Sequence, residues 1–448
     1  MALPATAIIE VRTTGNDANG GGFNSARGGT DYSQQGAAQA SGTASSSSTT
    51  VTATTSIFTS AMVGNYITDG TTWCEITAFT SGTVVTVDRA PSWTSASVKV
   101  GGALATPSKA INTVSVSGNT VWIKTATYTI SAALVPPAGS VASPTLVEGY
   151  NSSRGDLRAV NDYSNFPTIQ NNNTSNFLID SGNYIWVRNL ICDGGAGGTK
   201  ANLGIRLTGG SVIDNCKVLR WSTNQAFNTN SCIVRRCLAT QGASGSDSAF
   251  VSAGETVWES CVADSNGCKG FRFFAVSSSA SNCNSINNTG VGFYFESTGT
   301  VLHEMRNCIA YNNSSDGLSI AASAGDGSSF HDCIFELNGG YGVNSATSYS
   351  QIKGDYNAFK SNTSGARNNV PAGPNDVTLS ADPFTNAASG DFSLNTTSGG
   401  GAACRAAGFP GVFPGGTSTG YLDIGAVQHA DPTGGAAGML FVQNLEGV

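Results

Sequence analysis

Residues 305–320 read MRNCIAYNNSSDGLSI, and residues 330–345 read FHDCIFELNGGYGVNS. Laid on each other, Met305 meets Phe330, Cys308 meets Cys333, Asn313 meets Asn338 and Gly317-Leu318 meets Gly342-Val343. The same text runs backwards through Cys283, Cys261, Cys237 and Cys216, at intervals of 21, 24, 22, 25 and 25 residues from Cys216 to Cys333. A fixed period of this length is one supersecondary unit stacked on itself. Its β-branched residues and glycines do not suit a helix pair, and each period fits one turn of a parallel β-helix.

Three columns define the turn. Three residues before each cysteine stand Ile213, Val234, Trp258, Ala280, Met305 and Phe330, with Ala280 the small exception. Five residues after four of the cysteines stand Asn266, Asn288, Asn313 and Asn338. Further on comes a small residue and then an apolar one: Ala226-Phe227, Ala249-Phe250, Gly270-Phe271, Gly292-Phe293, Gly317-Leu318 and Gly342-Val343. Strand side chains alternate between faces, so Phe293-Tyr294-Phe295 reads in-out-in. The asparagines are expected at sharp corners, where they tolerate a left-handed backbone and bond along the stack; the glycines are given the same corner role. Cysteine, a small and readily buried hydrophobe, suits an inward slot beside such a corner.

The chain has 448 residues, 56 glycines, 11% charged residues and a net charge of -7. Only the period distinguishes so lightly charged a composition from a disordered one, because stacked turns share a continuous core. The acidic balance, without any Lys/Arg cluster, argues against nucleic acid as a partner. Eleven cysteines is an odd number, and no CxxC pair is present. They are read as buried reduced thiols rather than as metal ligands or a disulfide framework, so neither metal nor cofactor is expected. No basic start with an apolar run follows Met1 and no stretch suits a membrane span, which predicts folding in a reducing cytoplasm.

Three segments are expected. Residues 1–105 lack the period, and Phe58–Ile67, Thr72–Ile76 and Val84–Asp88 suggest a small antiparallel β unit used for attachment or capping. Thr106-Pro107 opens a short helix through Ala110, Ile111 and Val114 that covers the first turn. Residues 106–430 form the solenoid, about 12 turns at this period. It closes around Phe392–Leu394 and Tyr421–Gly425. Residues 431–448 are a linker ending in the apolar peptide Met439-Leu440-Phe441-Val442.

These segments resemble the right-handed parallel β-helix proteins of the pectate-lyase-like superfamily. Val121–Tyr128 is similar to their opening strand, and Thr145–Tyr150 to a second. The Asn-Cys-x-Ala-x-x-Asn turns resemble their commonest rung. Asp382–Phe384, Gly390–Leu394 and Asp423–Ala426 resemble their closing ones. The stretch from Val11 to Asp88 looks like the front end of phage-encoded β-helix proteins. The superfamily implies the fold; its activities range over lyases, hydrolases, epimerases and inert stalks. The Asn-Thr-Asp, Asp-Asp and Gly-His-Gly patterns of its hydrolases and the "WIDH" and "RxPxxR" patterns of its calcium lyases are missing here.

No catalytic constellation emerges from the residues. His303, His331 and His429 share no column, and Asp247, Asp264, Glu296, Asp316 and Glu336 read as turn or solvated residues. Arg272 and Tyr294, each two after its glycine, face outward on successive turns as a sugar-stacking or partner-contact pair. Leu238, Val262, Ile309 and Ile334 directly follow ladder cysteines and would form an exposed aliphatic stripe for assembly. The reading that follows is a virion structural protein, a capsid-decorating or tail-spike subunit made in a host cytoplasm. Its expected partners are itself as a homotrimer, other virion proteins and a host surface glycan. The alternative is a lyase or glycoside hydrolase acting on bacterial surface polysaccharide.

Overall fold

The computed structural model describes residues 7–157, 162–171, 177–180, 182–195, 203–222, 224–245, 247–274, 276–296, 301–322, 327–348, 352–409 and 422–429. The chain divides into two compact units, Met1–Asp247 and Ser248–Val448.

The N-terminal unit begins with Ile8–Val11, which pairs in parallel with Thr120–Lys124 and so extends the solenoid from the chain's own start. Six strands between Ala40 and Val100 then close into a barrel. Its interior holds Val51, Phe58, Ile67, Cys74, Ile76, Val85, Trp93 and Val98. A short helical segment follows from Pro107 to Val114, with the Thr106 hydroxyl accepting from the Lys109 amide at 3.1 Å. It buries Pro107, Ala110, Ile111 and Val114.

In both units a turn of the solenoid has three strands. The first ends two residues before the cysteine position, the second occupies the three residues after it, and the third follows the asparagine corner; Thr256–Glu259, Val262–Asp264 and Lys269–Phe274 are one set. The described residues hold about nine complete turns rather than twelve. Among the described residues, the long excursions after Ile130 and Tyr150 use chain without adding solenoid strands, and those after Leu379 form no further turn.

The second strand is short because both its ends are left-handed. In the C-terminal unit the residue before each cysteine position has φ between 48 and 58° (Ser260, Asn282, Asn307, Asp332), and so does the residue four after it (Ser265, Asn287, Asn312, Leu337). The left-handed residue is therefore the one before each ladder asparagine, and the expectation that Asn266, Asn288, Asn313 and Asn338 occupy that conformation is corrected. Their task is bonding. Asn266 Nδ2 donates to Asn288 Oδ1 at 2.9 Å, Asn288 to Asn313 at 3.0 Å, Asn313 to Asn338 at 3.0 Å and Asn338 to Asn362 at 2.9 Å. The corner role given to the glycines is corrected too. A Cβ on Gly317 would lie 2.7 Å from the Gly342 carbonyl oxygen, so glycine is there for close backbone approach.

Inside the turns Cys216, Cys237, Cys261, Cys283, Cys308 and Cys333 are all buried and free, as are the other five cysteines. Phe250 stacks on Phe271 at 4.6 Å and Phe271 on Phe293 at 4.9 Å, nearly parallel. The solenoid core ends on an arginine. Arg367 continues the inward Leu318–Val343 column, lies 5.0 and 5.1 Å from the Phe330 and Phe359 rings, and pairs with Asp376. Its aliphatic stem and cation close the apolar interior where the next turn would stand.

The segment expected to form closing turns is instead a strap. Phe384–Asn386 and Asp391–Leu394 make an antiparallel pair, Gly401–Cys404 a single helical turn. Phe384, Phe392, Leu394, Cys404 and Ile424 pack on Ile286, Ile309, Ile334, Ala358 and Leu379. This corrects the aliphatic stripe: Ile309 and Ile334 do point outward but are fully buried by the chain's own strap, and Val262 packs at the edge of the same cluster. Leu238, in the N-terminal unit, is half-buried. Met439–Val442 lie outside the described residues.

Candidate functional site

The residues singled out from sequence do not gather into one site. Arg272 and Tyr294 are neighbours in register, as expected. The Arg272 guanidinium, however, donates to Glu296 at 2.6 Å and lies over Phe274 at 4.6 Å, while Lys269 lies over Tyr294 at 5.5 Å. Asp316 accepts from the Tyr341 amide and from Asn344, which makes it a turn residue. Asp247 accepts from Gln225. Glu336 is buried, with Lys360 Nζ 3.1 Å away. Among the described residues no group of three or more His, Cys, Asp or Glu converges to hold a metal, and no helix is long and apolar enough to cross a membrane.

A different face carries an arrangement of binding type. In the N-terminal unit the first strands of successive turns are Thr120–Lys124, Leu146–Glu148 of Thr145–Tyr150, Ile185–Arg188, Val212–Asp214 and Ile233–Arg235. Their inward column is Val121, Val147, Val187, Ile213 and Val234, all with no exposed surface. Alternation then forces the flanking residues outward in two columns. One is Leu146, Trp186, Val212 and Ile233; the other is Trp122, Glu148, Arg188, Asp214 and Arg235. Each step along a column is one turn, about 4.8 Å.

The charges in the second column are not equivalent. Asp214 is occupied: Arg236 Nε reaches Oδ1 at 2.8 Å, and Arg236 and Arg235 Nη2 reach Oδ2 at 2.5 and 3.0 Å. Arg188, one turn away, instead turns its guanidinium over the Trp186 ring at 4.7 Å, and its Nε has no hydrogen-bond partner. The Nε of Arg235 also lacks one. Glu148 is nearly buried and receives the Asn189 amide at 3.4 Å. Trp122 meets Tyr150 edge-on at 6.1 Å. The face thus offers half-buried indole beside the half-buried Arg188 guanidinium, the combination that grips a ring bearing an anion.

This face lies mostly before the cysteine turns, outside the columns that the period defines. Its signal was present. Val121-Trp122-Ile123 and Ile185-Trp186-Val187-Arg188 place tryptophan in the polar phase of a strict alternation, where folding alone gives no reason for it.

Comparison with known proteins bears on the fold. Residues 203–364 match the family model described as right handed beta helix region. The crystal structure of pectate lyase Pel9A superimposes with a TM-score of 0.52 at 15% identity, covering 70% of this chain and 88% of that one. A rhamnogalacturonan lyase gives 0.48 at 16% identity over 63% and 86%. The catalytic unit of the GH87 α-1,3-glucanase of Streptomyces thermodiastaticus gives 0.41 at 11% over 77% and 88%. Among curated proteins, no sequence matches this chain. The match over residues 203–364, together with the three-strand turn described above, makes the chain a right-handed parallel β-helix, the fold it shares with Pel9A.

Proposed function

We propose that the chain recognises an acidic polysaccharide, of the kind found on bacterial surfaces, along the first-strand face of its N-terminal unit. The observation that carries this reading is Arg188: an outward, half-buried cation stacked on Trp186, in a column shared with Trp122. A flat face with a repeat of one turn suits an extended chain of sugars better than a small molecule. Titration calorimetry of the purified protein against acidic and neutral polysaccharides tests it. Binding should be confined to the acidic set and weaken with salt. Arg188→Ala should lower affinity at least tenfold, and Trp186→Ala by a similar factor. Equal binding of neutral polymers, or an unchanged Arg188→Ala, contradicts it. Unsaturated ends or new reducing ends released from the bound polymer would extend the reading to a lyase or a glycoside hydrolase.

A second reading, a structural component of a phage particle, is favoured by the free thiols: all eleven cysteines are buried and unbridged, as befits a chain folded in a reducing compartment. Mass spectrometry of purified particles tests it, and the two readings are compatible on a particle that attaches to a glycan.

A further inference from the structure

The other outward column of the N-terminal face is apolar, and it narrows the ligand further, on the premise that this face binds an acidic polysaccharide. Leu146, Trp186, Val212 and Ile233 stand in register on four successive turns, a rail about 14 Å long. Leu146, Trp186 and Val212 are half-buried, and Ile233 is 40% exposed. Folding alone does not demand such residues here. The equivalent strand position in the C-terminal unit, after Val257, carries Ser279, Glu304, Ser329 and Lys353. Single exposed apolar side chains are ordinary, but four in one column make a continuous strip that marks a contact surface.

The column beside the rail adds little polarity to it. Asp214 is held by Arg235 and Arg236, and Glu148 is nearly buried and engaged by Asn189. Arg188 lies over Trp186, so a cation and an indole of the rail meet at one point. A plain uronate chain would satisfy that point, yet along the rest of the rail its hydroxyls would be pressed on Val212 and Ile233 and lose water without gaining a partner. A methyl group in their place would be buried favourably. We propose that the acidic polysaccharide bears methyl-carrying substituents, as acetyl esters or as the methyl of 6-deoxy sugars, and that Val212 and Ile233 select for them. Arg188 reads the charge of the polymer, and the aliphatic rail reads its decoration.

The test measures binding of three polymers of matched length: polygalacturonate, its O-acetylated form and an alternating rhamnose–galacturonate chain. The methyl-bearing polymers should bind at least fivefold tighter than polygalacturonate, and a preference for one of them alone identifies which source of methyl is read. Val212→Ser and Ile233→Ser should each reduce the preference at least threefold and leave polygalacturonate binding within twofold. Serine already stands at the equivalent position as Ser279 and Ser329, so both variants suit the strand, and an unchanged Tm checks this. Arg188→Ala should weaken all three polymers. Equal binding of the three, with Arg188→Ala still destructive, overturns the selection while leaving acidic-polysaccharide recognition standing. Failure of all three to bind overturns both. A multimer by native mass that Ile233→Ser dissociates, with no preference among the polymers, gives the rail to a second copy of the chain and overturns the proposal.

Discussion

His303 and Glu336 are two titratable groups placed where the fold cannot solvate them. His303 stands in an inward column whose neighbours are Ser278 and Ser328, with its ring 5.3 Å from both Phe273 and Phe295 and neither nitrogen partnered. Burial lowers its pKa from 6.5 to about 4. The unfolded chain takes up this proton as pH falls through 6.5 and the folded chain only near 4. Stability is therefore lost on acidification across that window, by about 3 kcal/mol in all. His303→Leu should flatten the loss between pH 6.5 and 4 in denaturant titrations; an unchanged slope would mean the ring is solvated. Glu336 works in the opposite sense. Burial raises its carboxyl to about 7 from 4.5, the ion pair with Lys360 offsetting only part of that cost, and neither oxygen accepts a well-directed hydrogen bond. The folded state holds the proton that the unfolded state has released, so stability falls as pH rises from about 4.5 to 7. Glu336→Gln should stabilise the protein at pH 8 and leave it nearly unchanged at pH 4, measured as a shift in Tm.

At the scale of elements, the asparagine ladder and the strap show what repetition does and does not encode. Asn313 donates to the Ser285 carbonyl and to Asn338, both at 3.0 Å, and accepts from the Asn288 amide and side chain at 3.2 and 3.0 Å. Asn313→Ala should cost about 3 kcal/mol, because it strands donors above and acceptors below inside a buried column. Asn362, half-buried at the ladder's end, should cost about half as much when replaced by alanine. Equal costs in equilibrium unfolding would show that the ladder does not act as a chain. The ladder was legible in sequence because its residues recur at one spacing. Which residue takes the left-handed corner was not, since Ser265, Asn287, Asn312 and Leu337 share a position but not one residue type. The strap was misread for a related reason. Asp391–Leu394 alternates like a turn strand, and alternation does not say whether the partner is the next turn or a hairpin folded back on the outside. Without the strap in view, Ile309 and Ile334 looked exposed. The first-strand face of the N-terminal unit was legible in principle, through tryptophans out of phase, but Arg188 is distinctive only because Asp214 is bound by other arginines.

For the whole molecule the cysteines give a readout that no single turn provides. All eleven are buried and unbridged, one in the barrel (Cys74), one in the strap itself (Cys404) and the others in the solenoid. Burial also raises the pKa of six of them: Cys232 to about 11, Cys74 and Cys404 to about 12, and Cys192, Cys283 and Cys308 well above the ordinary 9.0. Thiolate is the reactive form, so reaction at pH 8 requires both exposure and a restored pKa, and each follows only from opening the local structure. Native protein incubated with a thiol reagent should therefore stay almost unlabelled and take up the reagent fully in denaturant. Mass spectrometry of partly labelled samples should then rank the opening. In a stacked solenoid each turn is held by its neighbours, so thiols near the strap and in the barrel should be released in steps separable from those of the central ladder. Replacing Phe392 with alanine, which weakens the strap, should speed labelling of Cys404 and leave Cys283 protected. Fast labelling of several ladder cysteines in the native protein, or recovery of disulfides between them, would show that the column does not face a closed core.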